Sequence, residues 1–193
     1  MHNVRGGSVA DMVGVDHAHA GEIVARHLFD AHGCRSIAFI GGITEADVTH
    51  GDRETVRQLL TGVESVIDDV VHVSTDLTPA GAYAAVTALL RSGDRPPDAV
   101  VAGTYGQTSA TIRAILDAGL TIPTDIRVVG FDGTTNDYGK FHLTAAQQPV
   151  DAITAVALNE LLHPSAARTY PPVGGIPAHR QYLRLWLDAS TKL

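Results

Sequence analysis

The chain has 193 residues, 45% of them hydrophobic and 18% charged, with 14 basic against 21 acidic side chains and a net charge of −7. That length suits one domain with a substantial core, and the composition is that of a globular protein rather than a disordered or fibrous one. An acidic chain with no basic stripe, helix-turn-helix or zinc-finger pattern is a poor partner for nucleic acid, because neutralising phosphates supplies most non-specific affinity.

Residues 1–12 read as a flexible arm: one basic residue, Arg5, and no apolar segment, so the pattern is not a secretion signal and favours a cytoplasmic location. From Gly21 to Ala31, apolar residues at Ile23, Val24, Ala25, Leu28 and Phe29 keep a helical spacing, and Gly33 supplies a left-handed stop. Cys34, the only cysteine, permits no intrachain disulfide, in keeping with a reducing compartment. Ser36 to Ile40 reads as a buried strand ended by Gly41-Gly42, and a helix is expected over Arg53 to Leu60. Val70 to Val73 is a second strand. Thr78 as N-cap, with Pro79 at the first helical position, opens a helix through Leu90. Pro96-Pro97 precede a third strand, Ala99 to Ala102; Ser109 to Ala118 is helical and closed by Gly119; Ile126 to Phe131 is the fourth strand. Such βα alternation with short loops predicts an α/β fold, a parallel sheet with helices on both faces.

Val128 to Phe131 delivers Asp132 into a turn rich in Gly, Thr and Asn, the carboxyl end of a strand, where open parallel sheets bind ligands. His142 to Pro149 reads as an extended strand crossing to a second lobe rather than as another βα unit. Val150 to Leu162 forms a helix with a wide apolar stripe that needs a surface to pack against. His163-Pro164 ends it, residues 170–177 form an irregular connector, and Gln181 to Leu187 alternates as a last strand. No apolar run approaches the roughly 18–20 residues that span a bilayer.

Other chemistries find little support. Of the ten histidines, His17 and His19 lie two apart and His27 and His32 five apart. Neither pair has the i,i+4 spacing of a helical metal motif, so scattered histidines and no metal site are expected. Gly6-Gly7 and Gly41-Gly42 lack the context of a nucleotide loop, and no cofactor is expected. The segment VVGFDGT resembles the first motif of haloacid-dehalogenase-type phosphotransferases, with Asp132 as nucleophile. That motif needs a second acid two residues away, and Gly130 and Thr134 stand at those offsets. With no G-x-S-x-G elbow either, the chain is not expected to be an enzyme.

Five blocks carry a broader resemblance: SIAFIGG (Ser36 to Gly42), Gly81 to Leu90, PPDAVVAG (Pro96 to Gly103), DAGLTIPTDIRVVGFD (Asp117 to Asp132) and LTAAQQP (Leu143 to Pro149). Together they resemble the sugar-effector domain of lac-repressor-type (LacI/GalR) transcriptional regulators. The resemblance implies a type I periplasmic-binding-protein-like fold with one complete lobe, residues 16–142 and 178–193, and a remnant of a second lobe, residues 143–177, together making a domain over 13–193. It implies a chain that begins after the family's DNA-binding headpiece. It places Arg53, Asp132 and Gln148 at ligand-contacting positions, with Thr104-Tyr105 where the family usually has Asn-Asp. Val56 and Asp188 likewise replace a usual Gly and Arg. The implied partners are a small-molecule effector, a carbohydrate above all, and a second copy of the chain; neither DNA binding by this chain alone nor a membrane is expected. A homodimerising module with a degenerate pocket is the alternative.

Overall fold

The computed structural model describes residues 15–42, 50–92, 95–131, 143–162 and 184–186. The arm over 1–12, the turn holding Asp132, the connector over 170–177, Asp188 and the ends of the strand expected over 181–187 lie outside the described residues.

Helix α1 (His17–Arg26) begins earlier than its apolar spacing predicts, because a cap sets its start: the Asp16 carboxylate accepts the His19 amide at 2.9 Å. It continues into a π-helical turn, His27–Ala31, and stops at Gly33 with φ +67°, the predicted left-handed stop. Strand β1 (Ser36–Gly42) includes the Gly41-Gly42 expected to end it. Gly41 fits there because a Cβ would come within 2.7 Å of both Phe39 and Val56. Helix α2 (His50–Glu64) extends the expected helix at both ends. Strand β2 (Asp69–Thr75) leads to α3 (Pro79–Arg91), capped as predicted by Thr78, whose hydroxyl accepts the Gly81 amide at 3.0 Å. Strand β3 (Ala99–Ala102) matches its prediction. Helix α4 (Tyr105–Asp117) starts at Tyr105 rather than Ser109, again because of a cap, Thr104. Strand β4 (Arg127–Phe131), β5 (Thr144–Gln147), α5 (Val150–Leu162) and β6 (Arg184–Trp186) complete the described chain.

The strands form one sheet in the order β2-β1-β3-β4-β5-β6. The first five are parallel, and β6 pairs antiparallel with β5, Ala145 opposite Trp186. The reading of His142–Pro149 as a strand that leaves the sheet is therefore corrected. Thr144, Ala145 and Ala146 pair in parallel register with Val129, Gly130 and Phe131, because a buried small-residue strand satisfies its backbone best on the open edge of β4.

Alternation along each strand splits the core into two layers. Ile37 and Phe39 of β1, with Val101 and Val129, face Val24 of α1, Leu28 of the π-helical turn, and Leu59 and Val63 of α2. Ala38 and Ile40, with Val100 and Val128, face Val86, Ile112 and Ile115 of α3 and α4. Helices on both faces of a parallel sheet are what the sequence predicts. Helices α1 and α2 cross at small residues: a Cβ on Gly21 would sit 2.1 Å from the Leu59 carbonyl, and one on Gly62 1.9 Å from the Ala18 carbonyl. Gly130 plays the same part in the VVGF strand, where a Cβ would stand 2.7 Å from Thr108 Oγ1 of α4.

At the amino-terminal end of the sheet, Asp98 ties three strands together. Its carboxylate accepts the amides of Arg35 (2.8 Å) and Ser36 (3.2 Å), its own amide donates to the Ser36 carbonyl, and its carbonyl accepts the Arg127 amide. These backbone donors hold the Asp98 carboxyl below the usual range, the Arg35 amide contributing most. At the same end the π-helical turn brings His27 and His32 together, Nε2 to Nε2 at 3.2 Å, with rings nearly perpendicular. Burial lowers the pKa of both imidazoles.

Candidate functional site

In a doubly wound sheet the ligand crevice lies outside the carboxyl ends of the strands, where neighbouring connections diverge to opposite faces. Here β1 leads through α2 to β2 on one side, while β3 lies on its other side, so the divergence falls between β1 and β3. The Gly103 amide bridges that point, donating to the Ile40 carbonyl at 2.9 Å. A cleft opens there. Its lining includes His17 and Ala20 from the start of α1, Thr55 from α2, Gly103 after β3, Phe131 at the end of β4, and Gln148 after β5.

Of the five residues singled out from the sequence, Thr104, Tyr105 and Gln148 are described, and each follows the carboxyl end of a parallel strand. Gln148 lines the cleft itself. Tyr105 opens α4 and is 40% exposed. Arg53 stands in the first turn of α2, and Asp132 directly follows the last residue of β4; the side chain of the former and the whole of the latter lie outside the described residues. Thr104 has a structural duty: its hydroxyl accepts the Gln107 amide as the α4 cap and contacts Gln107 Oε1, both at 3.3 Å, while its carbonyl accepts the Thr108 hydroxyl.

Beneath the cleft lies a polar network that the sequence reading misses. Gln107 is completely buried, and its Nε2 donates to Thr75 Oγ1 at 2.7 Å. Thr75 in turn reaches the Gly41 carbonyl at 3.5 Å and accepts the Leu77 amide at 3.3 Å. The carboxyl ends of β1, β2 and β3 are thus joined through one amide side chain. The same network holds Leu77 at φ +65°, a conformation rarely adopted by a residue with a Cβ. Beyond it, Asp76 accepts both the amide and the hydroxyl of Thr78, and the hydroxyl above all holds its carboxyl below the usual range. No sequence motif marks Gln107; its position three residues after a capping Thr was the available signal. The sequence spacing of His17 and His19 speaks only to metal binding, and the place of His17 in the cleft follows from the capped start of α1.

The cavity bounded by described residues is about 30 Å³, space on the scale of one or two waters. Its polar lining (His17, Thr55, Gln147 and Gln148) and its apolar floor (Ala20, Leu59 and Phe131) form one wall of a site rather than a closed pocket. Among the described residues no group of three or more His, Cys, Asp or Glu could hold a metal ion, and no helix is long and apolar enough to cross a membrane.

Comparison with known proteins gives this geometry a family. Residues 25–174 match the family described as periplasmic binding protein-like domain. The chain is 30% identical over 151 residues to catabolite control protein A of Priestia megaterium, covering 77% of this chain and 45% of that protein. It is 31% identical over 157 residues to the HTH-type transcriptional repressor PurR of Erwinia tasmaniensis, covering 81% of this chain and 46% of that protein. The chain thus spans about half the length of the curated relatives it matches. Among solved structures, a LacI family transcriptional regulator from Enterococcus faecium with bound ribose superposes with a TM-score of 0.70 at 20% identity, over 95% of this chain and 65% of that one. The chain belongs to the periplasmic binding protein-like domain family.

Proposed function

We propose that this chain is the ligand-sensing domain of a LacI-type transcriptional regulator that takes a sugar, or a related small polyhydroxylated molecule, at the carboxyl ends of β1, β3, β4 and β5. The observation that supports this reading is a cleft at the carboxyl ends of the strands, lined by Gln148 and next to the start of α4 at Tyr105, with Arg53 early in α2 and Asp132 the residue after β4 in sequence. The ribose held by the Enterococcus faecium regulator supports the ligand class. In this reading the Asp132 carboxylate and the Arg53 guanidinium grip hydroxyls through charge-assisted hydrogen bonds, Gln148 supplies an amide, and Tyr105 stacks on an apolar sugar face. Thr104 contributes indirectly, by capping the helix that presents Tyr105.

Regulation would follow from a population shift: a ligand that binds the closed arrangement of two lobes better than the open one biases closure by the ratio of its affinities. Because β5 pairs with β4 and β6 with β5, the complete lobe takes in residues 144–147 and 184–186, and the second lobe can begin only after β5. The acidic chain carries no DNA-reading motif, so operator contact would fall to a separate headpiece, in the cytoplasm. The Erwinia tasmaniensis relative is an HTH-type transcriptional repressor, and no catalytic role is proposed for this chain.

Calorimetry with a panel of pentoses and hexoses tests this. At least one sugar should bind, and Asp132→Asn should weaken it about tenfold or more, the loss expected for a charged hydrogen bond worth about 1.5–3 kcal/mol. Absence of binding across the panel, or an Asp132→Asn variant as tight as the parent, would overturn the reading. A second reading, a homodimerising module, is favoured by α5, on which Val150, Val156, Leu158 and Leu162 are exposed.

A further inference from the structure

Helix α1 ends in a π-helical turn, and this changes which side chains meet. At the ~100° per residue of an α-helix, positions five apart point about 140° away from each other. In a π-helix the hydrogen bond runs from i to i+5, so five residues make roughly one turn, and such turns recur at functional sites. His27 opens this turn and His32 follows it directly. Their Nε2 atoms are 3.2 Å apart, with ring centroids at 4.7 Å. The spacing that argues against a shared face in an α-helix therefore produces a matched pair.

The separation suits a shared cation. Two imidazole nitrogens, each about 2.0–2.1 Å from a tetrahedral zinc, stand about 3.3 Å apart. The rings are half-buried, on a helix end fixed to the core by Leu28 on one side and the Gly33 stop on the other. We propose that His27 and His32 form an open two-histidine site for a borderline divalent cation, with zinc as its representative and water completing the coordination sphere. The site lies at the amino-terminal end of the sheet, beside the entry to β1, and is separate from the ligand cleft at the opposite end.

The present contact is a hydrogen bond in which one ring's Nε2–H donates to the other ring's Nε2 lone pair. Cation binding needs both lone pairs, so the donor ring gives up its Nε2 proton to solvent and takes one at Nδ1. Both rings stay neutral and no net proton is released. A small rotation of the rings then converges the lone pairs on one point. Two features keep the affinity modest and the ion exchangeable. Only two protein ligands are present, since no third His, Cys, Asp or Glu joins them among the described residues. In addition, the Arg127 guanidinium lies close enough to His32 for its charge to be felt there.

Zinc titrated calorimetrically into the full chain should bind once per chain with micromolar affinity. His27→Asn and His32→Asn should each weaken that event by at least about tenfold, and His19→Asn should leave it unchanged. The same titration followed by the imidazole ¹⁵N resonances of the unmodified chain should move His27 and His32 together, which decides the matter even if a variant folds poorly. Zinc that leaves those two resonances in place, binding that survives both substitutions, or a stoichiometry of one zinc per two chains would overturn the proposal.

Discussion

Gln107 shows how one buried side chain can organise the floor of a site. Its amide donates to Thr75 and its carbonyl oxygen faces the Thr104 hydroxyl, so the ends of three strands share one polar hub without a charge. Gln107→Met keeps most of the volume but removes both polar partners. It should lower the unfolding free energy by about 1–3 kcal/mol, the usual cost of leaving buried polar groups unsatisfied, and denaturant titration with an unchanged m-value would show it. At this scale the sequence was only partly legible. The caps at Thr78 and Gly33 were readable because capping is local chemistry. Thr104, at a position where the resembling family contacts ligand, also has a local task that its sequence context shows: its hydroxyl accepts the Gln107 amide at the start of α4. The burial of Gln107 depends on β1 and β2, remote in sequence, and no local pattern encodes it.

At the scale of elements, the Asp98 clasp explains why a PPDA segment should open β3. One carboxylate accepts two amides at the entry to β1, and the backbone of the same residue reaches β1 and β4. Because the folded carboxyl titrates below its unfolded counterpart, its contribution is complete above the unfolded pKa of about 3.9 and is lost as the pH falls through the folded value. Asp98→Asn should therefore destabilise the protein by about 1–3 kcal/mol at neutral pH, and the gap from the parent should narrow in acid. A constant gap down to the acid transition would show that the charge does not matter. The crossing of α1 and α2 offers a steric counterpart. Gly62→Ala should cost about 1–3 kcal/mol, since its Cβ would collide with the Ala18 carbonyl, a backbone atom that cannot rotate away. Helix and strand existence was legible throughout because apolar periodicity carries it. The π-helical turn and the parallel docking of β5 were not, since both are settled by neighbours rather than by spacing.

For the whole molecule, the two-layer packing of helices on a parallel sheet leaves α5 with an incompletely covered apolar surface. Leu158 is 51% exposed, so Leu158→Lys should change stability by no more than about 0.5 kcal/mol. In the homodimer reading it should also reduce the weight-average mass in sedimentation; an unchanged mass would separate α5 from self-association. The position of β6 has a consequence for biosynthesis. The outer edge of β5 is covered by residues 184–186, which follow it by 37 residues, whereas the rest of the sheet is complete by residue 147. As the chain emerges from the ribosome, β1 to β5 can assemble while the ladder donors and acceptors of Ala145 to Gln147 still await their partner. During that interval the nascent chain presents a bare strand edge, the feature by which folding intermediates recruit other chains. Deletion of residues 184–186 should therefore show itself first as lower soluble yield, before any defect in ligand binding.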